Sequence, residues 1–407
     1  MTKAEIIRAA FKVWGRSFYQ NTSLSQLARE LGVSKPALYR HFLSKQLLMD
    51  AMTAYFFDDF AGFIRADFAR AAQNKDRTEG IFIMLRVVTR YYAQNEETFI
   101  FSLMKVYDWN TDQYTTPEWL KRRSVDMDVF QHIIKTEYTA ESLLLRLMFA
   151  TLIFFVAHFH KIGKACANSS GEEGIQKIIA LVSEIIAGGL GYTRVEVDGL
   201  RYGELESRVM ETVQNVEDEP LLKAVAEAVA EAGPWKASMD MVARRSGLSK
   251  SSLYGHFKNK RAMLRQLFIT EFKRIIAFAR QGISLSAAPD EQLYLGVFSI
   301  AVYLRSRPEI LVALDWMRTL RLDLDKAEKE QSNFFSLFED IDIGTLPDGE
   351  EPGYGGEKQE LFHWILFLLI GILMWRSGGR ALGDVRNSDI RDLYRFLTMG
   401  LNGFKKF

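Results

Sequence analysis

Cysteine and histidine are scarce in this sequence. Its 407 residues include one cysteine, Cys166, and six histidines. A single thiol excludes an internal disulfide framework and leaves no set of cysteines for a structural zinc site. His158 and His160 are two residues apart, which on a helix points them about 200° away from each other, so they cannot share a metal ion. We expect no metal, no cofactor and a reducing, cytoplasmic compartment.

Long uncharged apolar runs are missing as well. The two most apolar stretches, Leu147–Ala157 and Trp364–Trp375, are each shorter than the roughly 20 residues that a membrane-spanning helix needs. The first residues, Met1–Arg8, are charged and amphipathic and lack the apolar segment of a secretory signal. We therefore expect two buried helices, no membrane partner and no export.

Catalytic signatures are also missing. The sequence contains no phosphate-binding loop, no G-x-S-x-G elbow and no H-E-x-x-H pair, and we expect the protein not to be an enzyme. What is present is a globular balance of 48% hydrophobic and 25% charged residues. The formal net charge is only +1, so any affinity for nucleic acid must come from local clusters of positive charge.

The sequence contains an internal repeat. Leu27–Lys35 aligns without a gap with Val242–Lys250, a displacement of 215 residues. The same displacement carries Leu38-Tyr39 onto Leu253-Tyr254, His41-Phe42 onto His256-Phe257 and Lys45 onto Lys260. A chain of this length suits two domains, and we interpret it as a duplication of a unit of about 200 residues.

Helical periodicity dominates both repeats and predicts an all-α protein. Each repeat ends in two strongly apolar helices, over about 141–162 and 173–187 in the first and about 358–376 and 389–401 in the second. We expect these four helices to form one shared bundle. Between the repeats, residues 192–202 favour an extended segment and residues 204–216 a helix.

Near the start of each repeat the pattern indicates a helix-turn-helix unit. In the first, Leu24–Leu31 forms a short amphipathic helix, and Gly32 suits the turn because glycine adopts positive φ at low cost. Ser34 is placed to cap a second helix, and Pro36 lies in its first turn, where proline is tolerated. We call each tri-helical unit a head.

Side chains on and around the second helix of each head can reach DNA phosphates and base edges. In the first head they are Thr22, Ser23, Ser34, Lys35, Ala37, Tyr39, Arg40, His41 and Lys45, and in the second they are Ser238, Ser249, Lys250, Ser251, Ser252, Tyr254, His256 and Lys260. Arg40 can offer two donors to a guanine, whereas the matching residue of the second head is Gly255. We therefore expect the two heads to read different half-sites of a double-stranded operator.

The run Ser23–Lys45, with its Leu-Tyr-x-His-Phe ending, resembles the DNA-binding signature of the TetR family of bacterial repressors, and Ser238–Lys260 resembles it equally. Family members are normally homodimers of an N-terminal head and a helical ligand-binding domain with a four-helix interface. The resemblance implies an intramolecular pseudo-dimer, acting as a monomer in the bacterial cytoplasm. It implies heads at 1–47 and 217–262, ligand and dimerisation domains at 48–190 and 263–407, and a connector at 191–216.

By the same resemblance, a small apolar or aromatic effector bound in a C-terminal domain would tilt the helix around 47–63 and release the operator. The candidate pocket residues are Tyr92, Met104, Trp109 and His158 in the first repeat and Trp316 and Trp364 in the second. Aromatic residues at helical spacing are more often plain core, so packing is the alternative for these six.

Two other functions stay open at this point. One is a helical scaffold or apolar-ligand carrier with vestigial heads, and the other is a DNA-coating protein without sequence preference. Salt-sensitive binding that depends on Tyr39 and Lys45 would exclude the first, and a preferred site would exclude the second.

Overall fold

A computed structural model describes residues 2–16, 23–106, 116–126, 140–165, 171–212, 219–320, 358–377 and 386–404, and these residues contain helices and no strands. The first repeat contains α1 (Lys3–Arg16), α2 (Leu24–Glu30), α3 (Lys35–His41), α4 (Lys45–Ala72), α5 (Arg77–Gln94), α6 (Glu96–Val106), α7 (Thr116–Lys121), α8 (Ala140–Ala165) and α9 (Glu172–Gly188). The all-α prediction is confirmed.

The connector and the second repeat continue the helical pattern. They contain α10 (Arg194–Asp198), α11 (Tyr202–Thr212), α12 (Pro220–Lys236), α13 (Met239–Ser246), α14 (Lys250–His256), α15 (Lys260–Ile283), α16 (Pro289–Ser306), α17 (Pro308–Leu320), α18 (Lys358–Ser377), α19 (Asn387–Met399) and a final 3-10 turn (Gly400–Gly403). The chain divides into two compact units, one comprising residues 1–145 and 155–183 and the other 146–154 and 184–406.

In the first unit, the long helix α4 leads directly from the head into the helical domain and packs along α5. The head contacts the rest of the unit through α1 and α6, where Phe11 meets Phe101 edge to face with ring centroids 4.9 Å apart. Each ring is almost fully buried, and such aromatic pairs add to the stabilisation from burial alone.

In the second unit, α15 packs on α16 and the head helix α12 packs on α17. Residues 146–154 of α8 belong to this unit, and the buried Trp364 indole of α18 donates from Nε1 to Thr151 Oγ1 at 3.1 Å. Just beyond α9, the Leu190 N–H donates to the Leu397 carbonyl at 2.9 Å. The unit therefore combines parts of the terminal helices of both repeats.

One expectation for the connector is wrong. Residues 194–198 form a short helix, α10, where an extended segment was expected. Thr193 and Glu196 explain the helix, because the Thr193 N–H donates to Glu196 Oε2 at 2.6 Å and Thr193 Oγ1 accepts from the Glu196 N–H at 3.4 Å. This reciprocal pair is a capping box, whose T-x-x-E pattern was readable in the sequence.

Helix α8 is longer than the uncharged run Leu147–Ala157, whose shortness argued against a membrane span. The helix has 26 residues, and its window Leu143–His160 has a mean hydropathy of 1.8. By length and composition alone it could cross a membrane, because the single charge of Arg146 does not offset the apolar residues around it. Of that window, 61% is buried within the protein, as in a core helix.

Candidate nucleic-acid interface

The first head is built around a small core in which Ile6, Leu27 and Leu38 are fully buried. Helix α2 begins with a capping box: Ser23 Oγ accepts from the Gln26 N–H at 3.1 Å, and Gln26 Oε1 accepts from the Ser23 N–H at 2.7 Å. Both bonds satisfy backbone donors that the first turn leaves without helical partners. They fix the residue at which α2 begins.

The turn and the second cap are as the sequence predicts. Gly32 has a φ of +65°, and the Val33 N–H donates to the Ala28 carbonyl at 2.9 Å. Ser34 Oγ then accepts from the Ala37 N–H at 3.3 Å and starts α3. Leu38 anchors α3 in the head core, and the side of the helix away from Leu38 faces solvent.

The outward side of α3 carries the predicted DNA-binding residues. Lys35 and Arg40 are exposed, whereas Ala37, Tyr39 and His41 are half-buried. The Lys35 ammonium lies 5.6 Å from the centre of the Tyr39 ring, a cation–π distance. One surface thus carries a cation, a phenol and a guanidinium, which suit phosphate and base-edge contacts.

The second head repeats this construction on α13 and α14. Ser238 Oγ accepts from the Met241 N–H at 3.2 Å, and Ser249 Oγ accepts from the Ser252 N–H at 3.1 Å. Gly247 has a φ of +68° at the turn, and Leu253 is fully buried. The remaining predicted residues of α14 are exposed: Lys250, Ser251, Ser252, Tyr254 and His256.

The lysine that opens the long helix after each head is partly buried. Lys45 begins α4 and Lys260 begins α15, and burial lowers the pKa of both ammonium groups below the ordinary value. The preceding residues cap these helices, since Ser44 Oγ accepts from the Leu47 N–H at 3.1 Å and Asn259 Oδ1 from the Ala262 N–H at 2.9 Å. Each head is thereby joined to its long helix through an ordered cap.

Sequence reasoning missed one charged residue of the second head. Asp240 of α13 forms an ion pair with Lys250, its carboxylate oxygen 2.9 Å from the ammonium. The displacement of 215 residues places the uncharged Ser25 at the matching position of the first head. Comparing Ser23–Lys45 with Ser238–Lys260 position by position would have found this difference.

The predicted effector residues that the structure describes lie on different helices and differ in burial. Tyr92 stacks on Phe60, with ring centroids 5.6 Å apart, and contacts Phe99 at 5.4 Å. His158 is half-buried on α8, and Trp364 is fully buried. Met104 lies on α6 and Trp316 on α17. Thr22 of the DNA-binding set and Trp109 of this set lie outside the described residues.

The predicted effector residues do not line the pocket that the structure shows in the second repeat. This pocket of about 430 Å³ is lined by Glu227, Ala230, Glu231, Arg245, Pro308, Glu309 and Val312, none of which belongs to the predicted effector set. Within the described parts of the chain, no group of three or more His, Cys, Asp or Glu side chains is arranged to hold a metal ion.

The two repeats differ in the carboxylate that accepts a hydrogen bond from a buried tyrosine near the end of an inner helix. In the first, the Tyr91 hydroxyl of α5 donates to Asp59 of α4 at 2.8 Å, at the edge of an aromatic cluster. In the second, the buried Tyr303 hydroxyl of α16 donates to the buried Glu271 of α15, which also accepts from Arg274 at 2.7 Å. The first tyrosine therefore pairs with an exposed carboxylate, whereas the second pairs with a carboxylate that belongs to a buried ionic group.

Comparison with known families agrees with this geometry. A model described as bacterial regulatory proteins, tetR family, matches residues 6–52 and again residues 221–267. The two matched segments are themselves displaced by 215 residues and span both heads from the first helix to the start of the long helix. Each of the two repeats therefore begins with a helix-turn-helix head that matches the DNA-binding domain of the tetR family of bacterial regulatory proteins.

Proposed function

We propose that the protein is a ligand-responsive repressor whose two heads bind one operator with two different half-sites. The observation that carries this proposal is the difference between the recognition helices. Both are capped by a serine and anchored by one buried leucine, yet Arg40 projects from α3 where α14 has Gly255. A guanidinium makes a bidentate contact with guanine, and glycine makes none.

Phosphate contacts position each head before bases are read. Lys35 and Lys45 in the first head, and Lys250 and Lys260 in the second, supply the charge that neutralises phosphates. The hydroxyls of Tyr39 and Tyr254 add donors that fix register without specifying sequence. Base contacts from Arg40 on one side, and from the hydroxyl-rich face of α14 on the other, then give an asymmetric site.

Fusion of the repeats makes a second chain unnecessary in this proposal. The hydrogen bonds of Trp364 to Thr151 and of Leu190 to Leu397 tie the terminal helices of the two repeats together in one unit. These contacts support an intramolecular pseudo-dimer. Two heads on one face of DNA must lie about one helical turn, roughly 34 Å, apart, so a change in their separation is enough to weaken binding.

An apolar effector would act through the aromatic interior of the first repeat. Phe60, Tyr91, Tyr92 and Phe99 form a contiguous cluster there. Phe60 lies on α4, the helix that starts at the first head. A ligand that displaces these rings would shift α4 and its head together. The buried Glu271–Arg274 pair makes the matching part of the second repeat less suited to an apolar ligand, because burying charges against apolar groups is unfavourable.

Selection of bound sequences from a random duplex pool at near-physiological salt tests the operator. We expect an enriched, asymmetric site. Equal binding of the two palindromic sites made from its halves would contradict asymmetry. No enrichment despite salt-sensitive binding would indicate a DNA-coating protein. An absence of DNA binding in the folded protein would favour a scaffold or ligand carrier.

A second experiment tests the effector step on the selected operator. Naphthol, a neutral aromatic probe, is titrated into the complex while DNA binding is followed by fluorescence anisotropy. We expect weaker operator binding, and a smaller response in Tyr92→Ala. Binding of the probe without any change in operator affinity would contradict regulation by this cluster while leaving DNA recognition intact.

A further inference from the structure

The two heads carry the same number of positive residues but different numbers of acids. Residues 1–47 contain eight lysines and arginines against two glutamates, whereas residues 217–262 contain eight against six acids. Their formal charges are therefore +6 and +2, although the whole chain is nearly neutral. Attraction to the phosphate backbone depends on this local charge, so the heads are electrostatically unequal.

Part of the difference lies away from the recognition helix. Arg245 of α13 pairs with Glu227 and Glu231 of α12, the former at 3.6 Å. The matching residues of the first head have the opposite charges, with Glu30 in place of Arg245 and Lys12 and Arg16 in place of the two glutamates. The first helix of the second head is thus acidic where that of the first head is basic.

The decisive acid lies beside the recognition helix itself. Lys250 is the first residue of α14, and its ammonium is 2.9 Å from the carboxylate of Asp240. Both side chains are more than half exposed, so the pair lies on the surface. The carboxylate raises the pKa of Lys250 by hydrogen bonding and by its charge. In the first head, Ser25 offers no charge to Lys35.

We propose that Asp240 is a specificity-determining residue, because it weakens the attraction of the second head to the phosphates of DNA of any sequence. The first head then binds DNA of any sequence, whereas the second head binds stably only at its matched half-site. This inference rests on the proposed function, since it requires both heads to bind DNA.

The physical reason is an exchange of partners. A phosphate that approaches Lys250 must replace Asp240 and is repelled by its carboxylate, which stays nearby. An exposed ion pair is weak, so base contacts on the correct sequence compensate for its loss. On unrelated DNA those contacts are missing and the ion pair persists. Asp240 therefore weakens non-specific binding more than operator binding.

Reciprocal substitutions between the heads test this inference. Asp240→Ser gives the second head the residue of the first, and Ser25→Asp makes the opposite change. Asp240→Asn removes the charge with little change in shape. Each full-length variant is measured by fluorescence anisotropy on a random-sequence duplex and on the selected operator, at salt concentrations from about 50 to about 200 mM.

For Asp240→Ser and Asp240→Asn we expect random-duplex binding to tighten about fivefold at the lowest salt. We expect operator binding to tighten less, and the ratio of operator to random affinity to fall. The slope of log affinity against log salt should steepen by about one, the value for one added phosphate contact. Ser25→Asp should weaken random-duplex binding and make the slope shallower by a similar amount.

A double variant shows whether the effect acts through Lys250. In a Lys250→Ala background, Asp240→Asn should tighten random-duplex binding much less. An equal gain in both backgrounds would overturn the inference, because the carboxylate would then act only as diffuse charge. Weaker binding of Asp240→Asn to the operator would also overturn it, by indicating a favourable base contact such as one to a cytosine amine.

The experiments distinguish a failure of the proposed function from a failure of the inference about Asp240. If the wild-type chain selects no site, the repressor proposal fails whatever Asp240 does. If it selects an operator and the Asp240 variants keep the wild-type affinities and salt slopes, only the present inference fails. Thermal unfolding of each variant, followed by circular dichroism, confirms that the compared proteins are folded.

Discussion

At the scale of single residues, Glu206 shows how one buried carboxylate is stabilised. It lies on the connector helix α11 and accepts hydrogen bonds from Tyr294 at 2.6 Å, Asn387 at 2.8 Å and Arg391 at 2.7 and 2.9 Å. Burial alone would raise its pKa, but hydrogen bonds from Arg391, Tyr294 and Asn387 outweigh burial and hold the pKa below its ordinary value. Removing one partner of such a pair leaves the other uncompensated.

Glu206→Gln should therefore destabilise the second unit. We expect a loss of about 2 kcal/mol in the free energy of unfolding at pH 7, measured by urea denaturation. Glu204→Gln on the same helix is the control, because Glu204 forms an exposed pair with Arg201 and should cost less than about 0.5 kcal/mol. Equal effects of the two substitutions would show that the buried network contributes little.

The same network predicts a pH dependence. The folded-state pKa of Glu206 is depressed, so its contribution is present above the unfolded-state value of about 4.3 and is lost as pH falls through the folded-state pKa. The stability difference between the wild type and Glu206→Gln should therefore shrink as pH is lowered below about 4. Urea denaturation at a series of pH values measures it, and a constant difference would contradict the ionised network.

At the scale of elements, the turn after α19 packs against the end of α9. Gly400 has a φ of +55°, and a Cβ there would lie 2.5 Å from the Ile186 carbonyl oxygen. Gly400→Ala should cost about 2–4 kcal/mol of unfolding free energy, because it adds backbone strain to a clash with main-chain atoms. Gly203 has open space around it, so Gly203→Ala is the control and should be neutral or slightly stabilising in urea denaturation.

The recognition helix of the second head offers a test of readout. No atom lies within 4 Å of where a Cβ would be on Gly255, so Gly255→Arg is accommodated and supplies the side chain of Arg40. We expect selection from random duplexes to give a more symmetric site, with guanine gained in the second half. Gly255→Ala gains the same helix propensity, up to about 1 kcal/mol, without a guanidinium and should leave the selected site unchanged. An unchanged site with Gly255→Arg would show that Arg40 does not read bases.

Most of the helices could be predicted from the sequence, because the sequence patterns that form them are local. Apolar periodicity, the serine caps and the positive φ of Gly32 are encoded within a few residues of each helix. The exception is residues 194–198, where the Thr193–Glu196 capping box starts a short helix that apolar periodicity alone does not indicate. The Asp240–Lys250 and Glu206–Arg391 pairs were not predicted, because they join residues whose proximity depends on how separate helices pack.

At the scale of the whole molecule, joining two heads in one chain changes the order of the binding reaction. After one head binds, the second binds intramolecularly, at an effective concentration that depends on the chain and not on added protein. We expect one protein per operator and a simple hyperbolic isotherm. Sedimentation velocity and anisotropy titration at DNA concentrations above the Kd give the stoichiometry, and two chains per operator would contradict the pseudo-dimer.

Disabling each head in turn should reveal the unequal roles of the two. Tyr39→Ala with Lys45→Ala removes phosphate donors from the first head, and Tyr254→Ala with Lys260→Ala makes the matched change in the second. Each double variant should bind the operator at least about a hundredfold more weakly, because intramolecular capture is lost. Only the first-head variant should also lose most of its random-duplex binding, since residues 1–47 carry the larger formal charge. Equal losses on random DNA would indicate that the two heads attract phosphates alike, despite the acids of the second.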